Sequence, residues 1–237
     1  MSHFSKAKLE EVANNSLYTS FTNSRTITYS FDVFKRFIKH GSILELGPAE
    51  GLMTERLISL QADLTVIEGS EKFAADLRQK FTGIKVVHSL FEDAELSEVY
   101  DNVVLGHVLE HVEDPKAVLQ KVKQWLKPDG LVLCAVPNAR SIHRQAAVEM
   151  GLIESIFDMS KKDVHHGHLR IYTPELLRTE FIRAGFKIEH FGGYWMKPLS
   201  DSQIEQCFNE NMLSAFMKLG EFYPDIAAEI YIVCKIS

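Results

Sequence analysis

The chain has 237 residues, 46% of them hydrophobic and 24% charged, which is enough to bury one substantial core. The net charge of −6 and the lack of any Lys/Arg run longer than a pair argue against a surface that collects nucleic-acid phosphates. No apolar stretch suits a signal peptide or a membrane span, so we expect a cytoplasmic protein that binds neither nucleic acid nor membrane.

Residues 1–40 are predicted to form a helical N-terminal cap, separate from a main domain over residues 41–237. Phe31, Phe34, Phe37 and Ile38 share one face at helical spacing and are expected to pack this cap on the main domain. The three cysteines, at positions 134, 207 and 234, lie far apart and are expected as reduced thiols rather than as a disulfide or metal site.

From residue 42 onwards, short apolar runs alternate with amphipathic stretches. This alternation is typical of a parallel sheet that is covered by helices on both faces. The predicted strands are 42–46, 64–68, 85–88, 102–106 and 131–136, and the apolar spacing between them predicts helices near 52–58, 73–81 and 118–126. Pro128 and Gly130 end the last of these helices, so that a strand begins just after it.

The second half of the chain departs from this pattern at residues 138–172, a polar stretch that is too long for an ordinary connection. Such insertions often serve as lids or binding loops. Thr173 and Pro174 then begin a helix that stops at Gly185. Two more strands, 186–191 and 229–236, flank a helical stretch near 204–219; the last strand is apolar on both faces and is expected inside the sheet.

The first strand runs into a glycine turn, Leu46-Gly47-Pro48-Ala49-Glu50-Gly51. Small residues at such a turn let the backbone approach a nucleoside at the carboxyl end of a strand. A dinucleotide site would need glycine where Ala49 and Leu52 stand, so this pattern disfavours a nicotinamide-dependent oxidoreductase, which remains the alternative function.

Glu45, Gly47 and Gly51 resemble motif I of class I S-adenosylmethionine-dependent methyltransferases, with Ala49 in place of the middle glycine. The segment 105–115 closely resembles the "VLEHV-x-DP" signature of small-molecule methyltransferases of the ubiquinone-biosynthesis type. The resemblance covers residues 40–136 well and 170–190 loosely. It implies an α/β, Rossmann-like three-layer sandwich, in which a seven-stranded, mostly parallel sheet with an antiparallel last strand carries helices on both faces.

The resemblance also implies where S-adenosyl-L-methionine binds. The glycine loop faces its amino-acid part, Glu68 stands 21 residues after Gly47 at a strand tip to bind the ribose, and the segment after the third strand reads the adenine. The residues expected at the cofactor are Glu45, Gly47, Pro48, Ala49, Gly51, Glu68, Gly69, Ser89, Leu90, Gly106 and His107. For Glu68 and for Ser89, the alternatives are a solvated helix cap and a plain turn.

Four histidines are candidate catalytic groups. His107 and His111 follow the fourth strand, where a neutral imidazole could take a proton from the acceptor or simply order the loop. His166 and His168 either face the acceptor or form a polar surface turn. Together with His165 they could suit Zn²⁺, but ligands so close in sequence seldom complete a tetrahedral set, and we predict no metal.

Other polar and aromatic residues are candidates for the acceptor side of the site. Asn138 and Arg140, with His143 and Arg144, either orient a polar or anionic acceptor or cap a helix. Three N-terminal aromatic residues either cover the cofactor, as the family often does, or only pack the first helix on the body: Tyr18, Phe21 and Tyr29.

The sequence thus predicts methyl transfer from S-adenosylmethionine to an oxygen or nitrogen of a small polar metabolite, with S-adenosyl-L-homocysteine as the product. The sulfonium supplies the chemical drive, so the protein needs mainly to align the reactants and keep the site dry. A cofactor-binding but inactive protein is the other alternative. The expected partner is a small-molecule acceptor, and a homodimer is compatible with the apolar C-terminal helix.

Overall fold

The computed structural model describes residues 6–16 and 20–237, and a seven-stranded sheet is its centre. The strands are β1 Ile43–Leu46, β2 Leu64–Glu68, β3 Lys85–His88, β4 Tyr100–Gly106, β5 Leu126–Pro137, β6 Phe186–Tyr194 and β7 Glu229–Ile236. They lie side by side in the order β3-β2-β1-β4-β5-β7-β6. β7 runs antiparallel to both neighbours and the other pairs are parallel, which confirms the predicted fold class and the internal position of the last strand.

Ten α-helices surround this sheet in the described part of the chain. They are α1 Lys6–Asn14, α2 Phe21–Phe34, α3 Leu52–Ile58, α4 Glu71–Lys80, α5 Pro115–Trp125, α6 Ile142–Glu149, α7 Lys161–His166, α8 Pro174–Arg183, α9 Asp201–Cys207 and α10 Glu210–Leu219. Side-chain caps set several starts: Ser70, Asp114 and Thr173 accept hydrogen bonds from main-chain N–H groups of α4, α5 and α8. None of these helices is long and apolar enough to cross a membrane.

The core consists of two apolar layers, one on each face of the sheet. Successive strand residues point to opposite faces, so Val103 and Leu105 of β4 pack with α5 and α8 while Val104 packs with α2 and α3. Phe181 and Phe34 are fully buried in the respective layers. Burial on both faces explains the continuous apolar runs of the central strands.

Several boundaries differ from the sequence prediction. β5 begins at Leu126 rather than at residue 131, because Tyr100 pairs with Leu126 ahead of an irregularity in the register. β6 continues to Tyr194, which pairs with Glu229. The stretch 204–219 is not one helix: Asn209 caps α10 by accepting a hydrogen bond from the main-chain N–H of Met212, which separates it from α9.

The sheet brings distant segments to one edge. β7 is antiparallel, so its first residue, Glu229, lies beside Pro137 at the carboxyl end of β5. An isolated bridge between Asn138 and Tyr172 closes the insertion at its base. The carboxyl ends of the parallel strands, the start of β7 and the insertion therefore share one rim, where open α/β sheets bind ligands.

The N-terminal helices are joined to the sheet through a buried amide. Asn102 of β4 is fully buried; its Oδ1 accepts a hydrogen bond from the Lys39 main-chain N–H at 2.8 Å, and its Nδ2 donates to the Lys39 carbonyl at 2.8 Å. This pair of hydrogen bonds holds the end of the helical cap against the central strand.

We expect Asn102→Ala to lower the free energy of unfolding by about 1–3 kcal/mol, because main-chain groups of Lys39 lose their partners. Urea denaturation followed by circular dichroism measures this change. Asn211→Ala, on the exposed side of α10, is the matched control and should stay within about 0.5 kcal/mol of the native protein. Equal effects of the two substitutions would contradict the stabilising role of the Asn102–Lys39 hydrogen bonds.

Candidate cofactor and acceptor site

A cavity of about 1280 Å³ opens at the carboxyl ends of β1, β2 and β4. Ligand pockets commonly measure about 300–1,000 Å³, so this cavity has room for a nucleoside cofactor together with a small second molecule. The predicted site residues that line it are Glu45, Gly47, Pro48, Ala49, Glu68, Gly69, Leu90, Gly106, His107, His111, His166 and His168. Two predicted cofactor residues, Gly51 and Ser89, do not line it.

These two residues have local structural roles. Gly51 has φ +80° at the start of α3, and a Cβ there would collide with the ring of Phe81. The hydroxyl of Ser89 donates to the Leu90 carbonyl at 2.9 Å, so it turns towards its own backbone. Gly51 was predicted as a member of motif I and Ser89 as part of the adenine-contact segment; neither resemblance reports which atoms reach the cavity.

The glycine loop adopts left-handed backbone at alternate positions. Gly47 has φ +64° and Ala49 has φ +49°. An alanine in this region carries a steric cost of roughly 1–2 kcal/mol, which the hydrogen bond from its main-chain N–H to Glu68 Oε2 at 3.0 Å offsets. A Cβ on Gly47 would approach Cγ2 of Val108, a cavity-lining residue, to 3.2 Å, so only glycine leaves this part of the cavity wall uncrowded.

Two buried carboxyl groups flank this loop. Glu45 is 2% exposed, its Oε2 accepts a hydrogen bond from the Thr54 hydroxyl at 2.7 Å, and burial raises its pKa to about 8. Glu68 accepts a second hydrogen bond, from the Ser70 main-chain N–H at 2.8 Å, and burial raises its pKa despite these bonds. Acceptors held beside the cavity fit a cofactor that carries ribose hydroxyls and an ammonium group.

His107 follows β4 in left-handed backbone, at φ +60°, and its ring lies between two carboxylates. Nδ1 is 3.6 Å from Glu110 Oε1 and 3.7 Å from Glu229 Oε2, and Nε2 is 3.3 Å from the Tyr194 hydroxyl. Burial lowers the pKa of His107, but the two carboxylates outweigh it and leave that pKa above its ordinary value. The two carboxylates therefore favour the protonated form of His107 more than water does.

Glu229 is the functional candidate that sequence reasoning missed. Its side chain is 14% exposed, it lines the cavity, and burial raises its pKa to about 7. The residue looked like the ordinary start of an apolar strand. Only the antiparallel direction of β7 brings it to the rim, and a lone acid before an apolar run was the one available signal.

The end of the insertion is fastened to the turn after β4. The Arg170 guanidinium donates hydrogen bonds to the carbonyls of Leu109, Val112 and Glu113, and the Leu169 main-chain N–H donates to the Glu110 carbonyl at 2.7 Å. These bonds place His168 against His111, with ring centroids 4.8 Å apart at nearly right angles.

The four predicted catalytic histidines therefore lie around one cavity, but in different environments. Burial lowers the pKa of His111 and of His166 to about 4, so both are neutral at pH 7. Nδ1 of His168 lies 3.1 Å from Asp163 Oδ1. The ligand atoms of Glu110, His111 and His168 fall within 4.8 Å of one another, an arrangement that can hold a metal ion.

Charged groups line the acceptor side of the cavity. Arg144 pairs with Asp163 at 3.3 Å, and Asp201 pairs with both Lys162 and Lys197. The His143 ring lies among them, and its pKa is lowered, chiefly by burial. This wall offers a small molecule both signs of charge and several hydrogen-bond donors.

Other predicted acceptor residues have structural partners. Asn138 is 1% exposed and its amide donates to the carbonyls of Asp225 and Ala227 at 3.0 and 2.8 Å, although it also borders the cavity. Arg140 forms an exposed ion pair with Glu175 at 2.8 Å and does not line the cavity.

Of the aromatic residues expected to cover the cofactor or pack the first helix, Tyr29 packs on the body: its hydroxyl donates to Glu221, and its ring lies 5.5 Å from that of Tyr194. Phe21 packs against the core layer that contains α2 and α3. Tyr18 lies outside the described residues. α2 instead contributes Thr22, Asn23, Thr26 and Ile27 to the cavity wall.

Comparison with known proteins identifies the family. A family model for the methyltransferase domain matches residues 23–191, well over half of the chain. The chain belongs to this methyltransferase family. The predicted family, class I S-adenosylmethionine-dependent methyltransferases, is confirmed together with its cofactor, S-adenosylmethionine, and the oxidoreductase alternative gains no support.

Relatives and solved structures agree with this membership. The chain is 26% identical over 164 residues to the ubiquinone biosynthesis O-methyltransferase of Rhizobium etli, a match that covers 67% of this chain and 65% of that protein. Its counterpart in Photobacterium profundum is 29% identical, with 68% and 69% covered. The chain thus spans just under two thirds of the length of the Rhizobium relative.

Two solved structures share the fold of this methyltransferase-family chain. A methyltransferase of Thermotoga maritima, described as a possible histamine N-methyltransferase, superposes with a TM-score of 0.69 at 20% identity and covers 97% of this chain and 99% of its own. The N-methyltransferase NodS of Bradyrhizobium japonicum, solved with S-adenosylhomocysteine, has a TM-score of 0.63 at 14% identity, with 98% and 97% covered. At these identities the likeness shows the fold alone.

The raised pKa of Glu45 makes stability depend on pH. Its folded pKa of about 8 lies above the ordinary value of 4.5, so its contribution to stability is complete below pH 4.5 and is lost as the pH rises through 8. Glu45→Gln cannot ionise at this position. We therefore expect the free energy of unfolding of Glu45→Gln, relative to that of the native protein, to increase by roughly 2–4 kcal/mol between pH 5 and pH 8.5.

Urea unfolding of the ligand-free protein at both pH values measures this difference. Glu71→Gln, an exposed acid at the start of α4, is the control and should follow the native pH profile. If Glu45→Gln also runs parallel to the native profile, the Glu45 carboxyl group has the same pKa in the folded and the unfolded protein, and the assignment of a raised pKa is wrong.

Proposed function

We propose that this protein transfers the methyl group of S-adenosylmethionine to an oxygen or nitrogen atom of a small polar metabolite. The observation that carries the proposal is the continuity of one cavity, from the glycine loop and Glu68 at one end to the charged wall around Asp163 and Asp201 at the other. Cofactor residues and acceptor residues therefore face the same enclosed space, as in-line transfer requires.

The cofactor residues fit their proposed ligand. Bound S-adenosylmethionine supplies an electrophilic methyl group on a sulfonium. Glu68 holds the glycine loop through Ala49 and faces the ribose, and Glu45 stands behind the loop as a buried acceptor. A Cβ on Gly69 would meet the cavity-lining side chains of Leu9 and Leu90 at 3.3 Å, so glycine at this position keeps the backbone accessible to the nucleoside.

The chain also provides groups that can accept the proton that the methyl acceptor loses. His107 and Glu229 lie 3.7 Å apart beside the cavity, and Glu229 has a pKa near 7, where a proton acceptor works best at neutral pH. His111 and His166, with pKa values near 4, are poorer bases. We therefore assign proton transfer to the His107–Glu229 pair and only positioning to the other histidines.

A polar acceptor suits the wall that the insertion builds. Arg144, Lys162 and Lys197 line the cavity and are each held by a carboxylate partner. An ammonium group has three N–H donors, so Lys197, beside Asp201, keeps donors for an acceptor. The relatives act in ubiquinone biosynthesis as O-methyltransferases, and NodS is an N-methyltransferase, which supports keeping both oxygen and nitrogen acceptors in the proposal.

Glu68→Ala should weaken binding of S-adenosylmethionine and of S-adenosylhomocysteine by about 1–3 kcal/mol, because the ribose and the glycine loop lose a charged hydrogen-bond partner. Calorimetric titration measures both affinities, and circular dichroism verifies folding. Glu71→Ala, three residues further along, is the matched control and should bind as the native protein does. If the native protein binds neither S-adenosylmethionine nor S-adenosylhomocysteine in this titration, the proposed function is overturned.

The acceptor is found by incubating the protein with S-adenosylmethionine and pools of hydroxylated or amino metabolites and by measuring S-adenosylhomocysteine release. We expect turnover with a polar pool and none with long-chain quinone precursors. Tight cofactor binding without turnover in any pool would favour the alternative of an inactive cofactor-binding protein.

A further inference from the structure

We propose that Glu110, His111 and His168 form a binding site for a divalent transition-metal ion. The inference goes beyond the proposed methyl transfer and rests on side chains that the cofactor assignment does not use. Each residue offers one ligand atom, the three atoms lie within 4.8 Å of one another, and all three residues line the cavity. Metal–ligand bonds of about 2.0–2.2 Å place neighbouring ligand atoms about 3–4 Å apart, so small side-chain rotations complete the site.

The Glu110 carboxylate is the first independent observation that favours cation binding. Its side chain is 1% exposed, and within residues 6–16 and 20–237 neither oxygen has a hydrogen-bond partner. His107 is the nearest base, but its Nδ1 at 3.6 Å is too far for a hydrogen bond. A buried carboxylate without hydrogen bonds is costly, and a bound cation removes that cost directly.

The two imidazoles are already oriented as metal ligands. His168 directs Nδ1 to Asp163 Oδ1 at 3.1 Å, and the His111 ring hydrogen-bonds to the main chain of Gly167. An imidazole has two nitrogens, so each ring can direct one nitrogen to its protein neighbour and offer the other to the ion. Metal-binding histidines nearly always have such a carboxylate or carbonyl partner, which fixes their tautomer and direction.

The backbone around the site is held independently of any ion. Arg170 bonds three carbonyls of the turn that contains Glu110 and His111, and the Leu169 N–H bonds the Glu110 carbonyl. The His168 ligand thus comes from a segment that is anchored on the turn carrying the other two. This preorganisation lowers the entropic cost of ion binding.

Donor chemistry selects the class of ion. Two imidazoles and one carboxylate suit Zn²⁺, Co²⁺, Mn²⁺ or Fe²⁺, whereas Mg²⁺ and Ca²⁺ prefer oxygen ligands alone. Three protein ligands leave coordination positions open, as in catalytic metal sites. These positions face the cavity, where a water molecule or an oxygen atom of the acceptor completes the coordination.

The experiment uses tag-free full-length protein that has been treated with a chelator and titrated with Co²⁺, whose visible absorption reports imidazole and carboxylate ligation. We expect one equivalent of Co²⁺ to give a visible band that Zn²⁺ displaces. Glu110→Gln and His168→Ala should each weaken Co²⁺ binding by at least about 100-fold. Asp163→Asn removes the charged partner of His168, and with it that of Arg144, but keeps the side-chain shape; it should weaken Co²⁺ binding about 10- to 100-fold.

His165→Ala is the matched control, since His165 is an exposed neighbour in the same segment whose Nε2 contacts the Asn15 carbonyl. It should bind Co²⁺ within twofold of the native protein. A native protein without a saturable band overturns the proposal, as does a band that Glu110→Gln and His168→Ala retain or that His165→Ala abolishes. Circular dichroism of each variant separates lost binding from lost folding.

Calorimetry with S-adenosylmethionine on the chelated protein is run in parallel. Cofactor binding without Co²⁺ binding overturns the metal site and leaves the proposed function standing. Co²⁺ binding without cofactor binding overturns the proposed function and leaves the metal site standing.

Discussion

The hydrogen bond between the Ala49 main chain and the Glu68 carboxylate joins the tips of β1 and β2, and the organisation of the cavity depends on it. It holds an alanine in left-handed backbone, which turns the chain out of β1 and into α3. The same carboxylate caps the turn into α4 through the Ser70 N–H. One buried acid therefore positions both the loop and the helix that border the cofactor end of the cavity.

Burial of charge is the second constraint on the site. Glu45, Glu68, Glu110 and Glu229 are all largely removed from water, and an acid in such a place stabilises the fold only if it is protonated, hydrogen-bonded or paired with a cation. The Thr54 hydroxyl donates a hydrogen bond to Glu45, and main-chain N–H groups donate hydrogen bonds to Glu68. The remaining two acids face His107 and the cavity, which is where a ligand or ion supplies the missing partner.

Local sequence patterns predicted most of the scaffold. The positions of the strands and helices follow from alternating apolar runs and amphipathic stretches. Glu45, Gly47 and Glu68 stand out because they lie close together along one strand-helix-strand unit. The strand ends at Leu126 and Tyr194 escaped prediction because pairing with Tyr100 and with Glu229 decides them, and both partners are distant in the chain. The spacing of the motif also did not indicate that the Ser89 hydroxyl bonds to the Leu90 carbonyl.

The sequence by itself determined the family, the strands and helices along the chain, and the cofactor loop, because each is recognised from a pattern of residues that are close in the chain. Tertiary structure alone decided that Glu229 stands beside His107 and that His168 meets His111, 57 residues earlier. The histidine run looked like a local cluster, yet its partner residues come from another segment. The physical reason is that an antiparallel last strand and the Arg170 anchor bring distant segments to one rim, and neither leaves a periodic signal in the chain.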